Sequence, residues 1–208
     1  MHISLFIISI IFFVVFYVTA RLVYQKKNAP EKYDIRNHFA YELWIKKDSF
    51  NAFIDVFLFL SVISFAVNFS LYAIYNFSIF SVISAVVALL VSFSVVVLFY
   101  LPLSKLKERC IFSIIFFVSV TILNALMIYH SFTLLRQYGN NLIYISVVFS
   151  ALIDILGIII IFNPKIFDFS MSRDQEGLLV RPKIISLAFF EWLLVFFIFF
   201  SQISILFM

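Results

Sequence analysis

Val56 to Ser104 reads VFLFLSVISFAVNFSLYAIYNFSIFSVISAVVALLVSFSVVVLFYLPLS, 49 residues without a Lys, Arg, Asp or Glu. A helix rises about 1.5 Å per residue, so roughly 20 residues cross a hydrocarbon core of about 30 Å. The run is too long for one crossing. It suits two helices joined by a tight turn within 70–78, where Tyr72, Tyr75 and Asn76 cluster. Tyr rings favour the headgroup belt of a bilayer.

Working outward, charged residues cut the rest of the chain into similar runs. Residues 1–20 and 110–135 carry no charge; 141–162 is interrupted only by Asp154, and 184–208 only by Glu191. The pattern predicts an all-α polytopic membrane protein, a bundle of six transmembrane helices at about 2–21, 50–71, 79–101, 110–131, 141–163 and 184–206. Transmembrane strands would alternate polar and apolar residues over about ten positions. Here Ile158-Ile159-Ile160-Ile161-Phe162 is continuously apolar, and a helix satisfies every backbone group within its own segment. The first run lacks a basic residue before Arg21, and Val18-Thr19-Ala20 is a poor cleavage site, so it reads as a retained helix.

The composition agrees. Hydrophobic residues make up 64% of the 208, charged residues only 12%, and mean hydropathy is +1.13. Soluble domains are about half apolar and about a quarter charged, so a soluble enzyme, a disordered chain and a nucleic-acid-binding domain are excluded. The residues 1–208 read as a single transmembrane domain, because the longest loop, 22–49, is too short to bury a core of its own.

The loops alternate in charge. Arg21, Lys26, Lys27, Lys32, Arg36, Lys46 and Lys47 share one side with Lys105, Lys107, Arg109, Lys165, Arg173, Arg181 and Lys183; only Arg136 falls opposite. The positive-inside rule places that basic side in the cytoplasm and both termini outside, with the plasma membrane as the expected location. This bias accounts for the net charge of +4 without nucleic acid. Within the first loop, Ile35, Phe39, Leu43 and Phe50 recur near helical spacing, which suggests a short helix lying on the inner leaflet. Arg36, Trp44, Lys46 and Lys47 are then candidate contacts for lipid headgroups or a cytoplasmic partner. Tyr33-Asp34-Ile35-Arg36-Asn37-His38-Phe39 stands out in this loop without matching a known motif.

Hydrophobicity does not drive helices together inside lipid; small and polar residues do. Ser81, Ser84, Ala85, Ala88 and Ser92 form one stripe, Ser146, Ser150, Asp154 and Gly157 a second, and Cys110, Ser113, Thr121 and Asn124 a third. These faces are expected to look inward and the Phe-rich faces to look at lipid. Only Gly157 and no Pro lies inside a span. Continuous helices are therefore expected, which weakens a reading as a transporter with broken helices.

Three acids lie within the spans. Asp154 falls roughly 13 Å and Glu191 roughly 12 Å from the inner end at the helical rise, while Asp55 lies near the inner interface. No Lys or Arg is expected at the depth of Asp154 and Glu191, so these two would be protonated or share a cation. Their similar depth makes them a candidate proton or cation site, with Asn124 and with Gln202, eleven residues from Glu191, extending a polar track outward. The competing reading is structural: each acid hydrogen-bonds a Ser or a backbone carbonyl across a helix pair.

His2, His38 and His130 show no metal-ligand spacing, Cys110 is the only cysteine, and no catalytic constellation is legible. No catalytic residue, metal or cofactor is assigned. The leading expectation is a non-enzymatic integral membrane protein, an accessory, assembly or protective subunit for a membrane or cytoplasmic partner or a second copy of itself. The alternative is a small proton- or cation-linked transporter or channel using Asp154 and Glu191.

Overall fold

A computed structural model describes residues 1–27, 32–44, 49–166, 172–173, 179–180 and 184–207. Helices α1 (His2–Lys27), α2 (Ser49–Asn76), α3 (Ile79–Tyr100), α4 (Leu106–Tyr138) and α5 (Ile143–Ile161) follow in order. The sixth span is α6 (Ser186–Ile198), a 3₁₀ segment (Phe199–Gln202) and a short α7 (Ile203–Leu206). Six helical segments among the described residues are long and apolar enough to cross a membrane. The chain is a multi-pass membrane protein, and all its spans are helical. Two two-residue strands, β1 (Ser172–Arg173) and β2 (Leu179–Val180), pair antiparallel in the loop before α6.

Sequential helices are neighbours: α1 packs on α2, α2 on α3, α3 on α4, and α4 most extensively on α5. Buried residues from all six spans join one core. An even number of crossings puts both chain ends at one end of the bundle, here the terminal end, with the two short turns. The longer connections share the opposite, loop end.

Each turn has a local cause. At the terminal end the α2–α3 connection is only Phe77 and Ser78, tighter than the expected turn within 70–78. Phe77 takes φ 45°, a left-handed conformation that Phe rarely adopts. Ser78 then caps α3: its Oγ accepts from the Phe80 N–H at 3.3 Å, and the Ser81 Oγ accepts from the Ser78 N–H at 3.2 Å. Gly139, at φ 62°, ends α4, its N–H donating to the Leu135 carbonyl at 2.9 Å.

Several expectations are corrected. The helix starting at 110 begins instead at Leu106, so Arg109 belongs to α4 rather than to a loop. The last span is not one continuous helix: it tightens to 3₁₀ at Phe199–Gln202 without Gly or Pro. Residues 40–44 form a single 3₁₀ turn, not a helix lying on a leaflet. That segment is folded into the bundle, with Tyr33, Phe39 and Ala40 each only 1% exposed.

The stripe on α3 faces inward as expected, as do Ser113 and Asn124 on α4 and Ser146, Ser150 and Gly157 on α5; Thr121, Cys110 and Asp154 are half-buried. The Phe residues do not simply face lipid. Phe13, Phe16, Phe65, Phe69, Phe99, Phe116, Phe117 and Phe199 are buried, while the exposed apolar surface is mostly Ile, Val and Leu with some Phe. Small-residue seams leave clefts between helices, and flat rings fill them with dispersion contacts. Phe13 meets Phe199 at 4.8 Å and Phe196 edge-on at 5.4 Å, and Phe16 meets Phe99 edge-on at 5.2 Å.

Candidate functional site

The most concentrated polar chemistry lies near the loop end, where α3, α4, α6 and the 33–43 segment converge. Starting α4 at Leu106 places Arg109 at its N-terminal turn, pointing into the bundle and fully buried. The guanidinium Nη2 donates to Glu191 Oε2 in a buried ion pair. Ser113, one turn further along α4, donates its hydroxyl to Glu191 Oε1 at 2.6 Å. Both carboxylate oxygens are therefore engaged from α4.

Arg109 also closes the end of α3. Its Nη1 donates to the carbonyls of Leu98 at 3.0 Å and Leu101 at 2.8 Å. The last carbonyls of a helix lack intrahelical partners and carry partial negative charge, so a cation there is favoured. The Phe39 ring lies 4.5 Å and the Tyr41 ring 5.3 Å from Arg109 Cζ, adding cation–π contacts. The expectation that no Lys or Arg shares the depth of the buried acids is thus overturned. A long side chain reaches inward from the helix end and neutralises Glu191.

The 33–43 segment covers this centre and is pinned through Trp192, the neighbour of Glu191 on α6. The fully buried indole N–H donates to the Tyr33 hydroxyl at 2.9 Å and to the His38 carbonyl at 3.1 Å. Tyr33 in turn donates to the Phe39 carbonyl at 3.0 Å. Burial pushes the Tyr33 hydroxyl well above its ordinary pKa, which keeps the donor protonated. Phe39 N–H donates to Glu42 Oε2 at 2.6 Å, and Ile185 N–H to the Arg36 carbonyl at 2.8 Å. At the surface Arg36 bridges Asp34 at 2.8 Å, and its hydrogen bonds hold the Asp34 carboxyl below the usual range. Tyr17 and Tyr24 of α1 and Phe99 of α3 complete the aromatic packing around Trp192, Tyr33 and His38.

The four residues expected to form one acidic track divide among three places. Glu191 is held by Arg109 and Ser113. Gln202 sits in a separate network near the terminal end: its Nε2 donates to Ser9 Oγ at 2.7 Å and its Oε1 accepts from Asn68 Nδ2 at 2.8 Å. Asn68 Oδ1 meets His2 Nδ1 at 2.6 Å, and Ser61 donates to the Ser9 carbonyl at 2.7 Å. This network ties α1, α2 and the last span together. The 3₁₀ turn changes the rotation per residue, so eleven positions no longer return Gln202 to the face of Glu191.

Asp154 and Asn124 lie on the α5–α4 pair. Ser131 bonds Ser146 at 2.8 Å, and Gly157 lies against Thr121. In an antiparallel pair, that register sets Asn124 level with Asp154. Asn124 Nδ2 donates to its own helix at the Val120 carbonyl, 2.8 Å away. Asn124 Oδ1 and Asp154 Oδ1 are both buried without a hydrogen-bond partner. Leu156, on the α5 flank toward α6, borders a 460 Å³ apolar groove with Leu193 and Phe197. Asp154 falls about 160° around the helix from Leu156, so its flank is not the one turned to α6 and Glu191.

Of the candidate partner contacts, Arg36 is exposed and bound to Asp34. Lys46, Lys47 and the Trp44 side chain lie outside the described residues. Asp55 is buried in α2. No group of three or more His, Cys, Asp or Glu with metal-binding geometry occurs among the described residues. Arg109 was hidden in the sequence because it sits at the edge of the apolar run. The pointer to it was the four-residue spacing to Ser113, which puts both on one helix face.

Compared with known protein families, with curated proteins and with solved structures, the chain gives no match. The functional reading therefore rests on the geometry.

Proposed function

We propose that this chain is a non-enzymatic accessory, assembly or protective protein of the plasma membrane, with its basic loops in the cytoplasm and a protein partner at that face. The observation that carries this reading is the pinned 33–43 segment. A surface loop that served only to connect two spans would have no need of Trp192, Tyr33 and Arg109 to fix it. Held in place, it presents the exposed Arg36, fixed by its bridge to Asp34, at the surface, and prior ordering lowers the entropy cost of binding. The deep charge of Glu191 is neutralised internally, which supports a structural use of that acid.

The test is purification in mild detergent with and without substitution of Arg36, Lys46 and Lys47 by Ala. A partner recovered at fixed stoichiometry, and lost from the substituted protein while the fold persists, is expected. A partner-free protein that carries an ion or solute flux in proteoliposomes would overturn the reading.

A second reading, a small proton- or cation-linked carrier, is favoured by one observation. Asp154 and Asn124 each keep an unpartnered buried oxygen at the same level of the bundle. Intramembrane acids commonly mark proton paths. On this reading Asp154→Asn abolishes a gradient-driven flux, and Glu191→Gln acts only through stability.

A further inference from the structure

At the terminal end, remote from Arg109, a cavity of about 370 Å³ opens between the α2–α3 turn and the last three turns of α4. Asn76 and Ser78 line it from the turn, and His130, Thr133 and Gln137 from α4. Its volume lies within the range of roughly 300–1,000 Å³ common to small-molecule sites. His130 is only 8% exposed, and its Nε2 is buried with no hydrogen-bond partner. A buried polar atom of this kind costs stability unless something completes it. The Tyr72 ring stands edge-on to the imidazole at 5.7 Å, fixing its plane.

The lining selects the chemistry. None of the described residues that line the cavity is Asp, Glu, Lys or Arg. Amides, hydroxyls and an imidazole offer both donors and acceptors. Phe80 and Tyr129, with ring centroids 4.6 Å apart, supply an aromatic wall. A charged ligand would meet no counter-charge among the lining residues, whereas a neutral molecule with several hydroxyls and an apolar face matches both walls. We infer that this cavity binds a neutral polyhydroxy group, the chemistry of a sugar, with His130 Nε2 as the buried hydrogen-bonding anchor. Its place at the bundle end, where headgroups begin, admits either a free sugar or the headgroup of an uncharged glycolipid.

The test uses the full chain in nanodiscs, titrated with free glucose, or prepared with monoglucosyl diacylglycerol or with phosphatidylglycerol. Native mass spectrometry and the ¹⁵N signals of His130 provide the readouts. Saturable binding of glucose, or of the glucolipid alone, is expected, with the His130 signal shifted. The first result identifies a free sugar and the second a headgroup. Binding should weaken at least tenfold in His130→Phe, which keeps a ring in place, and in Thr133→Val, which serves if the first variant does not fold. The inference fails if neither sugar probe binds, if phosphatidylglycerol binds as tightly, or if folded variants bind as well as wild type.

Discussion

Removing one partner of the Arg109–Glu191 pair should damage this protein far more than removing both. Arg109→Met leaves Glu191 ionised or newly protonated in a fully buried site with only Ser113 beside it. It also strips the Leu98 and Leu101 carbonyls of their donor. Breaking a buried pair from one side costs about 3–5 kcal/mol. Two orphaned carbonyls add to the loss, at about 0.5–1.5 kcal/mol for each hydrogen bond. Glu191→Leu leaves Arg109 on the α3 carbonyls and against the Phe39 ring, so its cost should fall at the lower end. The double variant Arg109→Met/Glu191→Leu removes both charges. Apolar replacement of a buried pair is often neutral or better, so its cost should fall to about 1–3 kcal/mol, set by the two carbonyls that Arg109→Met still leaves without a donor. The assay is reversible unfolding in detergent micelles, with the four proteins closing a double-mutant cycle. A coupling of at least about 2 kcal/mol is expected. Single variants as stable as wild type, or a double variant as unstable as the sum of the singles, would refute the pairing.

Other perturbations test neighbouring parts of the structure. A Cβ at position 157 overlaps the Thr121 hydroxyl and comes within 3.5 Å of its Cβ, and a β-branched side chain has little room to turn. Gly157→Ala should therefore destabilise by about 1–3 kcal/mol, and added Thr121→Ala should restore most of the loss in the same unfolding assay. Trp192→Phe keeps an aromatic body but removes the donor to Tyr33 and the His38 carbonyl. It should cost about 1–3 kcal/mol and expose 33–43 to limited proteolysis. Asp34 has a folded pKa below its unfolded value. Its bridge to Arg36 thus contributes fully above the unfolded pKa and fades as pH falls through the lower folded one. Hydrogen exchange in 33–38 should rise only in acid, and Asp34→Asn should remove that pH dependence.

The spans were legible because uncharged runs of about 20 residues have one solution in lipid. The inward faces of α3 and α5 were legible too, since small residues recur at helical spacing and seams depend on them. Arg109 was not, because an apolar run marks where charges stop and does not reveal that an Arg side chain can reach back inside. With its counter-ion hidden, Glu191 reads as solitary, and depth alone pairs it with Asp154. Depth carries no information on rotation, and the two acids lie on helix faces that do not meet. The place of Gln202 is illegible for a related reason: the 3₁₀ turn at Phe199–Gln202 occurs without Gly or Pro, so nothing local announces the change of pitch. The packing of 33–43 into the bundle depends on Trp192, a partner more than 150 positions away in sequence, beyond any local pattern.

The most direct trial of the whole arrangement is which side of a sealed membrane each connection meets. The chain has one cysteine, Cys110, so a Cys110→Ser background permits single cysteines at Ser4, Asn140, Lys32 and Lys165. With a membrane-impermeant maleimide on intact cells, Ser4→Cys and Asn140→Cys should label from outside, and Lys32→Cys and Lys165→Cys only after lysis. Labelling of Ser4→Cys and Asn140→Cys from opposite faces would contradict the six crossings. The same label reaching Lys32→Cys from outside would reverse the orientation assigned to the basic loops.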